Sequence, residues 1–310
     1  MKYESLVLIV LAAVAGGALF APPKTYAAKS HNLSVNFGNN VEHCSDMQVK
    51  SDGEIAQAAE TFSLRAGEAS ILELQDGAGK SAVRVRAWDR PEYSVEACRV
   101  AVADDRATAE ALIGGISVGH SAGRFFTSGP SGDRGQWQLY FIIRAPKNGQ
   151  LDIETRNGPI DVAGVAGTLK LRASNGPVAV KDCAGLVEVT TQNGPIALAG
   201  GGGEVHLTAH NGPISVELAG EVWNGSRLEA RTINGPVSLT MPETYRTGVR
   251  LEAANHAPIS CNSQACLNAF AGSGSNLRTL QMNGSADTIR ISTGNGPVSI
   301  SAPNKGRRIL

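Results

Sequence analysis

Residues 151–216 decide the fold of this chain. They read LDIETRNGPIDVAGVAGTLKLRASNGPVAVKDCAGLVEVTTQNGPIALAGGGGEVHLTAHNGPISV. The triplet Asn-Gly-Pro, followed by Ile or Val, occurs four times in this stretch, and successive copies are 18 residues apart. Further copies begin at Asn234 and Asn295, and a degenerate copy, Asn-His-Ala-Pro-Ile, begins at Asn255. A fixed period of this kind is typical of stacked-repeat architectures.

Apolar residues alternate with polar ones on both sides of each triplet. In the first copy the apolar positions are Leu151 and Ile153 before the turn, and Ile160 and Val162 after it. Such alternation predicts two short β-strands per repeat, each with one buried face. We therefore expect an all-β fold in which each repeat forms one coil of a parallel β-solenoid. An antiparallel meander is the alternative, because Asn-Gly is also a hairpin signal.

The triplet also predicts a ladder of side-chain amides. Asn and Gly tolerate a positive φ and are expected to make the bend, and the proline then begins the following strand. Stacked strands lie about 4.8 Å apart, which would bring equivalent asparagines into contact. We expect this turn ladder to comprise Asn157, Asn175, Asn193, Asn211, Asn234 and Asn295.

The outward positions of the repeats favour the same stacking. One outward column reads Asp152, Lys170, Glu188 and His206. Charges of opposite sign follow one another in it, as expected where equivalent positions become neighbours on adjacent strands. The column therefore predicts the register of the stack.

The sequence predicts four segments. Residues 1–27 are expected to be a signal peptide, because an uncharged apolar run is followed by small residues at the positions that a signal peptidase reads. The run is shorter than the roughly 20 residues of a spanning helix. We therefore expect an exported protein, periplasmic or at the cell surface, with no membrane span after cleavage. Retention of the segment as an anchor is the alternative.

The other three segments have different patterns. Residues 28–69 are expected to be irregular, residues 70–150 to form β-rich lead-in coils or a cap, and residues 151–310 to form the repeat solenoid. Within the second of these we expect a capped helix and a Gly/Ser-rich loop as well as strands. The predicted strands are 71–74, 83–86, 93–102 and 137–143, the helix is 104–112 and the loop is 121–135.

The five cysteines are an odd number, so at least one is unpaired within the chain. Cys44 and Cys98 flank the region before the repeats and are candidates for a disulfide. Cys183 and Cys261 occupy positions that hold apolar residues in other repeats, so both are expected in the core. A bond between Cys261 and Cys266 is disfavoured for that reason.

The sequence offers no site for chemistry. Zero net charge excludes the basic surface of a nucleic-acid-binding protein. We find no pattern for catalytic residues, a cofactor or a metal, so none is assigned. The repeats carry insertions at one edge, and these hold Trp223 and Tyr245, which are candidates for a partner-binding edge. The alternative is that the insertions form a flap over the repeats.

The chain resembles the bacterial putative-adhesin family of β-strand-repeat proteins, a domain of unknown function. The Asn-Gly-Pro repeats, Ala87-Trp88-Asp89 and Ile143-Arg144-Ala145-Pro146 carry the resemblance, which covers roughly Ser70 to Ile300. It implies a right-handed parallel β-helix exported to the cell envelope, and it supplies no catalytic residues. The degenerate copy at Asn255 departs from the pattern.

These observations favour an exported, non-enzymatic β-solenoid that acts as an adhesin-like binding or scaffolding module. Its partner would be an envelope protein or a glycan. Self-association through the ends of the solenoid is the second hypothesis, because uncapped coils expose strand edges. A polysaccharide-cleaving β-helix enzyme is the third, but the outward columns contain no cluster of carboxylates of the kind that such an enzyme needs.

Overall fold

A computed structural model describes residues 31–38, 40–65, 70–131, 135–255, 257–271, 278–284 and 286–303. The fold is all-β, with two α-helices and one short 3-10 helix in these ranges. The helices are the 3-10 helix at Cys44–Asp46, α1 at Arg106–Gly115 and α2 at Gln264–Ala271. The strands before the repeats are β1 (Leu33–Asn36), β2 (Gln48–Ser51), β3 (Glu54–Leu64), β4 (Leu72–Gln75), β5 (Ser81–Trp88), β6 (Tyr93–Ala103), β7 (Ser117–Ser121), β8 (Arg124–Ser128) and β9 (Gln136–Pro146).

The repeat region continues the series of strands. They are β10 (Leu151–Thr155), β11 (Ile160–Ala163), β12 (Thr168–Ala173), β13 (Val178–Lys181), β14 (Leu186–Thr191), β15 (Ile196–Ala199), β16 (Gly202–Asn211), β17 (Ile214–Glu217), β18 (Asn224–Asn234), β19 (Val237–Thr240), β20 (Val249–Ala253), β21 (Ile259–Asn262), β22 (Thr279–Met282), β23 (Ile289–Asn295) and β24 (Val298–Ser301).

The repeat strands alternate between two large mixed sheets. We call the first sheet I, with strand order β22-β20-β23-β18-β16-β14-β12-β10-β4-β8-β7. Sheet II has the order β21-β24-β19-β17-β15-β13-β11-β5-β9-β6-β3. Within each repeat, the strand before the triplet joins sheet I and the strand after it joins sheet II. The inward side chains of both sheets share one hydrophobic core.

Neighbouring repeats pair in parallel and in the predicted register. Asp152 lies opposite Lys170, Lys170 opposite Glu188, and Glu188 opposite His206. The antiparallel meander is therefore wrong for the repeats, because a hairpin turn would place the two strands of one repeat side by side in one sheet. The lead-in strands β4 and β5 pair in parallel with β10 and β11, so the stacking begins before the first triplet.

The predicted ladder of asparagines is present in the structure. The Nδ2 of Asn175 donates to Oδ1 of Asn157 at 2.8 Å, and the Nδ2 of Asn193 donates to Oδ1 of Asn175 at 2.9 Å. The same bond joins Asn211 to Asn193, Asn234 to Asn211, and Asn295 to Asn234, at 3.1, 2.9 and 2.7 Å. At the first rung, Asn157 donates to the carbonyl of Gly79.

The glycine of each triplet is required by close stacking. A Cβ on Gly194 would lie 2.1 Å from the carbonyl oxygen of Gly176, and a Cβ on Gly176 would meet Gly158 at the same distance. Our expectation that the triplet glycines adopt a positive φ is wrong for Gly158, Gly176, Gly194, Gly212 and Gly235. The turn therefore requires glycine because there is no room for a Cβ, and not because the backbone is left-handed.

Buried threonines satisfy the carbonyl groups of this turn column. Thr155 and Thr191 lie two residues before an asparagine, and each donates its hydroxyl to the glycine carbonyl of its own turn, at 2.8 and 2.7 Å. Thr232 donates to the carbonyl of Gly212 and Thr293 to the carbonyl of Gly235, both at 2.9 Å; each acceptor belongs to the neighbouring turn of the ladder. A buried hydroxyl without such a partner would cost free energy, so these bonds make threonine tolerable inside the core.

The repeat that comes last in the sequence does not lie at the end of the stack. Strand β23 pairs with β18 on one side and with β20 on the other, and β24 lies in the same way between β19 and β21. The copy at Asn295 therefore lies between the copies at Asn234 and Asn255, and Asn255 donates to Asn295 at 2.7 Å. The degenerate copy is the end of the ladder in space, and terminal repeats are characteristically atypical.

Two sequence-based predictions of irregular structure were wrong. Segment 28–69 is not irregular where the structure describes it, because β1, β2 and β3 lie in it; β3 pairs antiparallel with β6 along its whole length. Strand β3 is at the edge of sheet II, where polar residues are expected, and β1 and β2 form a separate two-stranded sheet. The loop expected at 121–135 contains β8, whose Phe125 is buried in the core. Residues 1–27 and 304–310 lie outside the described ranges.

We predict that Gly194→Ala destabilises the protein by about 2–3 kcal/mol, because the new methyl group forces two stacked turns apart. Gly114→Ala in helix α1 is the matched control, since a Cβ there meets nothing within 4 Å. Chemical denaturation should show that this control is neutral or slightly stabilising. Equal stability of the two variants would contradict the close-packed turn.

Candidate functional site

The insertions do not form the exposed aromatic edge that the sequence suggested. Trp223 is 8% exposed and Tyr245 is 3% exposed, and both belong to the core that the two sheets share. The indole Nε1 of Trp223 donates to the carbonyl of Gly203 at 3.1 Å. The prediction that these two residues form a partner-binding edge is wrong, because the insertions fold over the repeats and bury their aromatic rings.

The cysteines form two disulfides. Cys44 and Cys98 are bonded, with Cα atoms 5.5 Å apart, and so are Cys261 and Cys266. We had disfavoured the second bond because Cys261 was expected in the core. In the structure Cys261 is only partly buried and Cys266 comes to it on helix α2. Cys183 is a free, buried thiol, and its burial raises the pKa of that thiol.

A groove of about 620 Å³ lies on the outer side of sheet II, beside the first triplet. Its size is within the range of small-molecule sites, about 300–1,000 Å³. The lining residues come from β1 and the segment just after it, the turn before β5, strands β5 and β9, and the first triplet turn. They are Val35, Phe37, Gly79, Lys80, Ser81, Ala82, Gln136, Trp137, Gln138, Leu139, Tyr140, Asn157, Gly158 and Pro159.

Strand register fixes the floor of the groove. Ala82 and Tyr140 are partners on the paired strands β5 and β9. The carbonyl of Pro159 accepts from the amide of Val83 at 2.8 Å, which brings the first triplet against the same row. The side chain of Ala82 is small, so the ring of Tyr140 and the ring of Pro159 can border one depression.

Arg84 holds the wall of the groove in place. Its guanidinium donates to the carbonyls of Phe37, Gly38 and Val41, and it lies 4.5 Å from the centre of the Phe37 ring. The Phe37 ring in turn lies 5.0 Å from the Tyr140 ring, at an angle of 55°. The two aromatic rings are thus fixed in position without a ligand, which reduces the cost of binding one.

Burial lowers the pKa of Arg84, and the nearby charge of Arg86 lowers it further. The Asp161 carboxylate opposes both effects, because it pairs with the two guanidinium groups. An arginine starts from so high a pKa that it stays charged. The charged guanidinium of Arg84 therefore remains a donor to the three carbonyl groups of the β1–β2 connection.

The polar groups of the groove lie at its rim. The Lys80 ammonium lies 4.7 Å from the centre of the Trp137 ring, a cation–π contact. The Tyr140 hydroxyl donates to Oε1 of Gln138, and burial raises its pKa well above the usual value, so it stays protonated. Asn157, the first rung of the ladder, adds an amide at the far side.

The loop that carries Lys80 is built around a buried carboxylate. Asp76 accepts from the amides of Gly79 and Ser81 at 2.9 and 3.1 Å, and from the hydroxyls of Ser81 and Thr127 at 2.7 and 3.0 Å. Four donors satisfy its charge. Asp76 therefore shapes the turn before β5 and does not line the groove.

The groove is suited to binding by contact. Its lining contains aromatic rings, three side-chain amides and one ammonium group, but no Asp, Glu, His or Cys. It therefore offers no pair of carboxylates for glycoside cleavage. In the described ranges no group of His, Cys, Asp and Glu is placed to hold a metal ion, and no helix is long and apolar enough to span a membrane.

The sequence did contain signals for this groove. Leu33, Val35 and Phe37 alternate with polar residues, which is a strand pattern inside the segment that we interpreted as irregular. Strand β9 also lacks alternation, because Tyr140 and Ile142 are apolar at outward positions. Such a double-faced strand indicates that something covers the outer face, and the β1–β2 sheet does so.

We predict that Arg84→Met loosens the β1–β2 sheet, because three carbonyl groups lose a charged donor. Hydrogen exchange of peptides that cover residues 33–51 should accelerate by about tenfold or more. Arg86→Met is the matched control, since Arg86 bonds to Val85 and Asp161 and not to that sheet. Unchanged exchange in Arg84→Met, or equal acceleration in both variants, would contradict this role.

Comparisons with known proteins give distant structural neighbours. No protein-family model and no curated protein sequence matches the chain. A putative cell adhesion protein from Clostridium sporogenes is 12% identical, with a TM-score of 0.33 over 80% of this chain and 100% of that one. Putative adhesins from Bacteroides fragilis and Parabacteroides distasonis are 12% and 10% identical, with TM-scores of 0.37 and 0.24. They also align with 80% of this chain, and with 97% and 98% of their own. Similarity at this level defines neither fold nor function, so the groove has to be interpreted from its own residues.

Proposed function

We propose that this chain is an exported, non-enzymatic β-solenoid that acts as an adhesin-like binding module at the cell envelope. The observation that carries the proposal is the groove beside the first triplet, where Phe37 and Tyr140 are fixed in place and polar groups surround them. Binding sites typically combine aromatic walls with a few placed polar groups. In this proposal the repeats are the rigid support and the groove makes the contact.

The parallel stacking of the repeats supports a solenoid. Consecutive repeats contribute one strand to each sheet and share one core, as expected when each repeat is one coil. The resemblance noted from the triplets implies that the coil is right-handed. A rigid stack of this kind can hold a binding groove at a fixed place, away from flexible loops.

The two disulfides support export. Disulfides persist in oxidising compartments and are rare in the cytosol of most organisms. The bond between Cys44 and Cys98 closes a separation of 54 residues and ties the segment that carries Phe37 to strand β6. A protein that relies on this bond is suited to the periplasm or the cell surface, in agreement with the expected signal peptide at residues 1–27.

Helices at both ends favour binding over end-to-end stacking. Helix α1 packs on β3 and β6, and helix α2 packs on β21 and β22. Strands β3, β21 and β22 are three of the four edge strands of the two large sheets, and the fourth is β7. A helix packed on an edge strand opposes the addition of another chain there. We therefore prefer the binding module to the self-associating structural protein.

The test is to immobilise the exported chain on beads and to measure how much envelope material the beads retain. Envelope material from the producing cell is separated into polysaccharide and protein fractions, and binding of each is measured. We expect one fraction to bind, and Phe37→Ala combined with Lys80→Ala to reduce that binding at least about tenfold, because stacking and charge are both lost. Lys170→Ala, an exposed lysine on sheet I, is the control and should bind like the wild type.

Two results would overturn the proposal. If neither fraction is retained by the wild-type chain, the molecule is not an envelope-binding module. If the Phe37/Lys80 variant retains the material as well as the control does, the groove is not the binding surface. Thermal denaturation of each variant establishes that the fold is intact.

A further inference from the structure

We infer that the groove takes a hexuronic acid residue of an acidic polysaccharide. This inference rests on the proposed function, which states that the groove binds but not what it binds. Three features of the groove carry it: the sign of its charge, the amount of that charge, and the combination of ring faces with amides.

The sign of the charge excludes a basic ligand. Lys80 is exposed at the rim and is the ionised side chain among the lining residues, which include no carboxylate. The nearest buried carboxylate, Asp76, is satisfied by four donors behind Ser81. A ligand with a carboxylate would meet the Lys80 ammonium without repulsion from the lining.

The amount of charge fits a chain with one carboxylate per sugar. A single ammonium balances a single negative charge inside the groove. The side chain of Arg156 lies outside it and occupies the space in which a side chain on Gly79 would stand. Because Gly79 lines the groove, Arg156 is a second cation close to it. One cation in the groove and another beside it suit a chain that carries a carboxylate on each sugar.

The remaining lining is suited to a sugar ring. Phe37 is partly exposed and Pro159 is exposed, so their rings can border a ligand, and the buried Tyr140 ring supports Phe37 at a distance of 5.0 Å. Gln136, Gln138 and Asn157 are amides, and each can both donate to a hydroxyl and accept from one. A hydroxylated ring with an apolar face and one acidic group uses all of these features. A purely apolar ligand would use neither the Lys80 ammonium nor these amides.

The experiment measures binding of defined oligosaccharides to the exported chain by calorimetry. The probes are oligomers of galacturonic, glucuronic and mannuronic acid, each compared with its methyl ester, which has the same sugar rings without the charge. We expect at least one acid to bind, and its ester to bind about tenfold more weakly or worse, because one charge-assisted contact is lost.

Variants locate the contact. Lys80→Gln should weaken binding of the acid by about tenfold and remove most of the difference between acid and ester, because only the acid uses the charge of the ammonium. Phe37→Leu should weaken both, since it removes a stacking ring. Lys170→Gln is the control and should bind like the wild type. Lys80 is exposed, so its replacement is expected to leave the fold intact.

The outcomes separate this inference from the proposed function. If the beads retain envelope material through the groove but no uronic acid oligomer binds, the ligand class is wrong and the binding module stands. Equal binding of acid and ester, or an unaffected Lys80→Gln variant, would also overturn the ligand class. If the beads retain nothing and no oligomer binds, both are wrong.

Discussion

Close contact between stacked turns is the constraint on which the rest of the structure depends. Each triplet glycine lies against the carbonyl of the turn before it, too close for any side chain. This contact aligns the asparagine amides into a ladder, and it aligns the strands before and after each turn in parallel with the equivalent strands of the neighbouring repeat. A hydrogen bond between exposed amides adds little free energy by itself. Its main effect is to fix the pairing register of the strands, because a slip of one residue would turn every buried side chain outward.

The same constraint explains both ends of the stack. The copy at Asn295 has the full triplet and lies between two other copies, whereas the degenerate copy at Asn255 lies at the outer end, where no further turn of the described residues stacks on it. At the other end the first turn has no asparagine: Asp76, which follows the register pair of Gln75 and Glu154, organises this turn with its carboxylate, and Asn157 bonds to Gly79 of the turn. The groove lies at this end, where the regular ladder stops and the β1–β2 sheet covers sheet II.

The sequence was sufficient for the parts of the fold that repeat. Period, alternation and triplet spacing predicted the all-β class, the parallel register and the asparagine ladder. They did not predict the order of the last repeats, because Asn255 and Asn295 carry similar turn signals and the order depends on long-range pairing by β22 and β23. The groove was missed for a related reason. Its residues come from distant segments, and Phe37 reaches Tyr140 only because Arg84 and the Cys44–Cys98 bond hold the β1–β2 region against sheet II.

The central claim is that the repeats stack in the order of the ladder, with the last repeat inserted before the degenerate one. Disulfide trapping on sheet I tests it directly. Arg231 is the register partner of Ser292, and Ser292 is the partner of Glu252. Adjacent strands are about 4.8 Å apart, within reach of a disulfide, whereas two strands of separation is about twice that and too far. The account predicts rapid cross-linking of Arg231→Cys with Ser292→Cys and none of Arg231→Cys with Glu252→Cys. Cross-linking of the second pair, without the first, would show that the repeats stack in chain order and would contradict the account.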